Sequence, residues 1–382
     1  MAKVLILGGG FGGLAAAAEI RRLDSDLEVV LVDRRDHFFM GFAKLWDLAG
    51  VRPLPGGTVS LHRLADRGVT FVQAEITGID PSARRVGTST GTLEGDALLV
   101  ALGAAMSPAH QDLVGGPGAF NLYDAGQLPT IRQALAGIGG GSVLVAVLGV
   151  PLKCPPAPFE ATLIVDDLLR QRGVRERVGV SVSTPQPITM PVAGPDASQY
   201  VASQLAGRGI ELLTHHAVAG VDPVARVVRY ANGAELGYDI LLGVPAAAPP
   251  PVIAESPLAG KSGWVEAHRH SLRTAFERVY AVGDCTVVPT ATFPVPKAGV
   301  FAAGEGEVAA RNIVRDLTGT GDEASYDGEG ACFLELPGRA VALVEGRFFA
   351  EPEPVVHVSE ATAAAFQAKQ EFERARLEAW LG

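Results

Sequence analysis

Six residues near the start of the chain leave little freedom for what surrounds them. Gly8-Gly9-Gly10-Phe11-Gly12-Gly13 follows a short apolar run, Lys3–Leu7, and opens an alanine-rich segment of helical spacing that reaches about Arg22. Residues 28–32 then read as a second strand, and Asp33 stands twenty positions after the last glycine. Strand, Gly-x-Gly-x-x-Gly turn, helix and acid in this order predict a βαβ unit of a doubly wound α/β fold. The glycines permit the tight turn and let main-chain N–H groups approach a pyrophosphate at the helix N-terminus. Asp33 can accept hydrogen bonds from a ribose. A glycine-rich turn that holds no ligand is the plain alternative.

The chain also repeats itself. Gly78-Ile79-Asp80-Pro81, with Ala83, Arg84 and Val86, leads through Gly91 to an apolar strand at residues 97–103. The same pattern returns at Gly220-Val221-Asp222-Pro223, with Ala225, Arg226 and Val228, and leads through Gly233 to residues 239–243. The offset is 142 at each matched position. Each block reads as a β-meander feeding a core strand, so two related nucleotide-binding-type domains are expected. The repeat aligns residues 142–148 with Lys3–Leu7, and Gly149 with Gly8. The next residues are Val150-Pro151-Leu152-Lys153-Cys154-Pro155-Pro156. Proline has no N–H to offer a phosphate, so this second dinucleotide site is expected to be degenerate.

Residues 157–172 have helical periodicity, which puts Cys154 just ahead of a helix N-terminus with Lys153 beside it; both favour a thiolate. A small buried cysteine is the alternative. Glu160, in the first turn of that helix, reads either as an acid/base or as an ordinary helix-start acid. A third block, 275–282, is expected to be a strand entering Gly283-Asp284, and Lys297 precedes a small-residue helix at 298–317. Lys297 faces a cofactor or is simply solvated. The tail reads as a hairpin carrying Cys332 and ending near Phe348-Phe349, then a proline-rich turn and a helix over 359–381. On that helix Phe366, Leu377, Trp380 and Leu381 share one face, while Glu371, Glu373, Arg374 and Arg376 make a charged one. Such a stripe packs on the body, on a partner such as a second copy, or on a membrane surface.

A formal net charge of −10 argues against nucleic acid as a partner. Three cysteines in 382 residues exclude a disulfide scaffold, and the 48% apolar content excludes a disordered chain. No run reaches the roughly 18 apolar residues of a membrane span, and no secretory leader is evident. A cytoplasmic protein, peripheral at most on the inner face of a membrane, is expected. His215-His216 and His268/His270 have no third ligand at metal spacing, so no metal site is expected.

Taken together, these motifs resemble the flavoprotein disulfide reductase superfamily. Within it the chain is similar to the sulfide:quinone oxidoreductases and to the flavoprotein subunit of flavocytochrome c sulfide dehydrogenase. The marks of the superfamily are the glycine turn, Asp33, Ala101-Leu102-Gly103 and Gly283-Asp284. Those of the subgroup are Lys153-Cys154-Pro155-Pro156-Ala157-Pro158-Phe159-Glu160, Pro296-Lys297-Ala298-Gly299 and the late Cys332. The resemblance implies two Rossmann-like domains, an FAD-binding one over 1–108 and 275–320 and a degenerate one over 109–274, followed by a C-terminal region at 321–382. It implies FAD contacts at Gly8, Gly10, Gly12, Gly13, Asp33, Arg34, Ala74, Ala101, Gly103, Gly283, Asp284, Lys297, Ala298 and Gly299. The FAD should be non-covalent, because residues 37–46 contain no cysteine. It implies Cys154 and Cys332 as a redox pair flanking the flavin, assisted by Glu160 and Lys297. Sulfide, or a small thiol or persulfide, would be oxidised there, and the electrons would pass to a quinone or a cytochrome. An NAD(P)H:quinone oxidoreductase and a flavin electron-transfer subunit active only in a complex stay open as alternatives.

Overall fold

The computed structural model describes residues 1–290 and 293–382. Its framework is two five-stranded parallel sheets. In the first, Lys3–Leu7 lies at the centre between Glu28–Asp33 and Ala97–Val100. Thr70–Gln73 and Val279–Ala281 form the edges, so the sheet is completed by a strand from late in the chain. In the second, Gly141–Val147 is central between Val178–Ser183 and Ile240–Val244, with Glu211–Leu213 and Ala119–Asn121 outside. The central strands are apolar runs buried on both faces, as strands covered by helices on either side must be.

The repeat survives in backbone detail. The antiparallel meanders Ile76–Asp80, Arg85–Thr88, Gly91–Glu94 and Val218–Asp222, Val227–Tyr230, Glu235–Gly237 each carry a register shift at the matched pairs Ile76/Gly78 and Val218/Gly220. Arg84 and Arg226, also 142 apart, share a left-handed conformation at φ 52° and 53°.

Two differences from the sequence reading concern short strands. The expected strand over 275–282 shrinks to Val279–Ala281, because Arg278 turns to φ 57° and the Val279 N–H closes a tight turn onto Phe276. The tail is a three-stranded antiparallel sheet: Glu329–Leu336 and Ala340–Arg347 are joined by Val355–Val358, which lies where a turn was expected. The last helix, Ala363–Leu381, starts with Thr362 accepting the Ala365 N–H. Its Trp380 packs edge-on against Phe11 and Phe38, which fixes this helix against the first unit. No helix among the described residues is long and apolar enough to cross a membrane.

Candidate active site

Two helices aim their N-termini into one cavity. Phe11–Leu23 begins after Gly10 and Gly299–Thr318 begins after Ala298, and neither has a side-chain cap. They approach so closely that a Cβ at Gly306 would lie 2.3 Å from the Gly12 carbonyl oxygen. Only small residues allow that contact, and it is what brings the two ends together. The free N–H groups and aligned dipoles favour an anionic or electron-rich group between them. The cavity, about 310 Å³, is lined from the first unit by Gly10, Gly12, Ala101 and Gly103, and by Gly283, Asp284 and Lys297 through Gly299. Gly10 faces open space on its Cβ side. A planar, partly anionic cofactor with a pyrophosphate fits this lining.

Gly8, Gly13, Asp33, Arg34 and Ala74, also expected to contact the cofactor, do not line this cavity; all but Arg34 pack around the turn. Gly8 (φ 106°) and Gly13 are locked together, since a Cβ on Gly13 would meet the Gly8 oxygen at 1.9 Å. Asp33 accepts the Gly9 N–H at 2.7 Å and the Arg35 N–H at 2.9 Å, so it ties the glycine turn to the end of the second strand. Ala74 is buried and donates its N–H to the Asp33 carbonyl. Arg34 is exposed and lies 3.6 Å from Glu75.

The second unit delivers the sulfur. Its loop after Gly141–Val147 bends toward the first unit: Lys153 bridges to Lys297, and the Cys154 N–H donates to the Lys297 carbonyl at 2.7 Å. Cys154 sits at φ 51° just ahead of the helix Ala157–Gln171. Cys332 arrives on Glu329–Leu336, and both cysteines line the same cavity with Glu160. The two thiols interact. The Cys154 thiol lends a hydrogen bond that favours a Cys332 thiolate, and its own ionisation is pushed well up by that contact and by burial. Cys285 is a separate, buried thiol held up at about 12 by desolvation.

Around the pair, Glu160 is buried and pushed up to about 7 by desolvation. Lys44, whose ammonium donates to the Tyr123 carbonyl, is pushed down to about 8 by burial. Lys297 turns its ammonium onto the Asp284 and Thr286 carbonyls, 2.8 and 2.9 Å away, and over the Trp264 ring. Lys153, expected to aid the thiolate, reaches instead to the Ala104 carbonyl at 3.4 Å; the cation acting on both thiols is Lys369. A further correction concerns Glu373, expected on the charged face of the last helix. It is 4% exposed and held by two bonds from Arg52.

Sequence reasoning also missed Glu305, which accepts the Gly283 N–H at 2.6 Å and so shapes the Gly283-Asp284 turn. Burial raises Glu305 to about 7 and raises Asp284 as well. At the second turn, a Cβ on Gly149 would lie 2.2 Å from the His110 ring, so an imidazole packs directly against that glycine. Among the described residues no cluster of three or more His, Cys, Asp or Glu is arranged to hold a metal ion.

A family model described as pyridine nucleotide-disulphide oxidoreductase matches residues 2–306. The mitochondrial sulfide:quinone oxidoreductase of Mus musculus is 24% identical over 92% of this chain and 79% of its own length. The sulfide-quinone reductase of Aquifex aeolicus is 27% identical over 92% of this chain and 84% of its own. A type II NADH:quinone oxidoreductase of Staphylococcus aureus is 23% identical over 90% and 93%. The X-ray structure of the sulfide:quinone oxidoreductase of Aquifex aeolicus superposes with a TM-score of 0.86 at 22% identity, covering 98% of this chain and 90% of that one.

Proposed function

From the premise that the chain belongs to the pyridine nucleotide-disulphide oxidoreductase family, we propose that it oxidises sulfide, or a small thiol or persulfide, with non-covalently bound FAD, and that a quinone takes the electrons. The observation that carries this reading is the pair Cys154 and Cys332, opposed in the cavity into which the two uncapped helices point. The main chain at Gly8–Gly13 and the Gly283-Asp284 turn would hold the dinucleotide, with Asp33 toward its ribose.

In the oxidised protein the two sulfurs form a disulfide. Hydrosulfide attacks one sulfur and the S–S bond breaks; one cysteine carries a persulfide and the other leaves as a thiolate. Loss of two electrons and the persulfide proton joins these two into a trisulfide. A flavin held by the glycine turn and the Gly283-Asp284 turn would supply a two-electron sink beside the pair. A second hydrosulfide, or another thiol, then removes the inserted sulfur and restores the disulfide. Glu160, poised near pH 7, can take up the proton released at the sulfurs. Lys44, poised near 8, adds positive charge to the cavity that receives an anionic substrate.

Two features support sulfide over nicotinamide as the reductant: Pro151, which has no N–H, and His110 against Gly149 in the second turn. The test is one anaerobic spectrum of the purified protein. Sulfide should bleach the flavin absorbance and NADH should not, and trichloroacetic acid should release the FAD into the supernatant. Fast bleaching by NADH with no response to sulfide would overturn the reading, and flavin retained in the acid pellet would overturn the non-covalent assignment. Adding a quinone or a cytochrome to the reduced protein then identifies the acceptor.

A further inference from the structure

Lys369 lies on the last helix, does not line the cavity, and is 1% exposed. A buried ammonium is costly unless it is paired, and this one donates to Glu335 Oε2 at 2.7 Å. The Trp46 ring N–H donates to the same oxygen at 2.8 Å. Glu335 stands three residues after Cys332 on the same strand, and its own N–H donates to Glu160 Oε1 at 2.6 Å. Glu160 belongs to the helix that comes after Cys154. One connected network therefore joins the strand carrying Cys332, the helix start behind Cys154 and the last helix. Phe42 and Trp46 enclose the cation with their ring faces, 4.9 and 5.7 Å from the ammonium.

We propose that Lys369 is a positioning residue for the cysteine pair: through Glu335 it ties the two cysteine-bearing elements together, and it supplies the positive charge that favours a thiolate at Cys332. The charged and titratable groups about the pair are Glu160 from its helix, Glu335 from the Cys332 strand, Lys369 from the last helix, Lys153 beside Cys154, and Lys44, Tyr123, Asp284 and Lys297 of the same cavity. Two carboxyls thus share one buried ammonium. The field of Lys369 favours ionisation at both sulfurs, and that of Glu160 opposes it. Removing the two charges in turn should therefore move the thiols in opposite directions, whereas loosening of a merely structural tie would move them the same way.

This proposal rests on Cys154 and Cys332 being the working pair, but its test reads the thiols and not turnover. The flavin-loaded protein is reduced and then alkylated with iodoacetamide across a pH series, and mass spectrometry of the peptides gives the rate at each cysteine. Lys369→Gln, which retains a donor for Glu335, and Lys369→Met should each raise the pH midpoint of Cys332 alkylation by about one unit. Lys369→Arg should keep the wild-type midpoint, and Glu160→Gln should lower it by a comparable amount. A Cys332 midpoint unmoved in the folded Lys369 variants, or moved in the same direction by Lys369→Gln and Glu160→Gln, would overturn the proposal. A protein that shows these shifts but does not respond to sulfide would retain the inference and lose only the substrate.

Discussion

The two strand–turn–helix units follow one pattern, yet their turns place different groups at the cavity. In the first, Gly8 to Gly13 brings main chain to the cavity: the helix has no side-chain cap, and Gly10 has open space on its Cβ side. In the second, the matching stretch has prolines, a left-handed cysteine and a histidine against its glycine. One turn brings an uncapped helix start to the cavity, and the other brings the Cys154 side chain to it. The same position in the fold, aimed at the cleft, thus carries main chain in one unit and a thiol in the other.

The largest expected effect separates the two roles. Cys154→Ala or Cys332→Ala should slow reduction of the flavin by sulfide at least about a thousandfold, some 4 kcal/mol in barrier, with flavin content unchanged. Cys285→Ala should retain activity. Stopped-flow absorbance measures both. Loss of flavin in the Cys154 variant would erase the distinction between holding and reacting.

Next in size is a substitution placed at both turns. Gly13→Ala drives a Cβ into the Gly8 carbonyl and should cost about 3 kcal/mol and release the flavin. Gly149→Ala meets only the His110 ring, which can move, and should cost about 1 kcal/mol or less with flavin retained. Denaturant unfolding together with flavin stoichiometry sharpens or breaks the contrast.

A smaller effect tests the second turn as a nucleotide site. Saturating NADH should reduce the flavin at least about a hundredfold more slowly than sulfide does, a gap of about 2.7 kcal/mol. Equal rates would mean that the second unit still binds a nucleotide.

The last effect is shared. Each unit has one buried carboxyl raised from 4.5 to about 7, Glu305 behind Gly283 and Glu160 behind the cysteines. Because the folded-state value lies above the unfolded one, the stability each contributes is complete below about 4.5 and is lost as pH rises through about 7. That loss is on the order of 3 kcal/mol per group. Thermal unfolding of Glu305→Gln and Glu160→Gln should lose less stability over this range than the parent protein. Only Glu160→Gln should also alter the pH profile of the thiols.

The fold and the outline of the cleft were legible because they rest on local patterns: glycines at fixed spacing, a repeat at 142 positions, and a cysteine before a helical run. The strand at Val355–Val358 was not legible, since four residues after a proline-rich turn carry little period-two signal. Neither were Glu305, Glu335, Lys369 and His110, whose roles depend on segments that meet only in the fold; Lys369 and Glu335 are 34 positions apart. Glu373 was misread for a related reason. Its helix has charges all round, and only the arrival of Arg52 makes one of them an interior group.

The bond from the Cys154 N–H to the Lys297 carbonyl has one more consequence. It is made by main chain, so the backbone that carries the sulfur is held without the help of the thiol. Position and reactivity are written separately: one in the loop and its neighbour, the other in a single codon. A lineage carrying this loop could exchange thiol for hydroxyl or for nothing and keep the scaffold intact, and each such change would be one step long. Sites of this kind are easy for selection to re-equip, which makes a divergent family of chemistries on a common frame the expected outcome of its history.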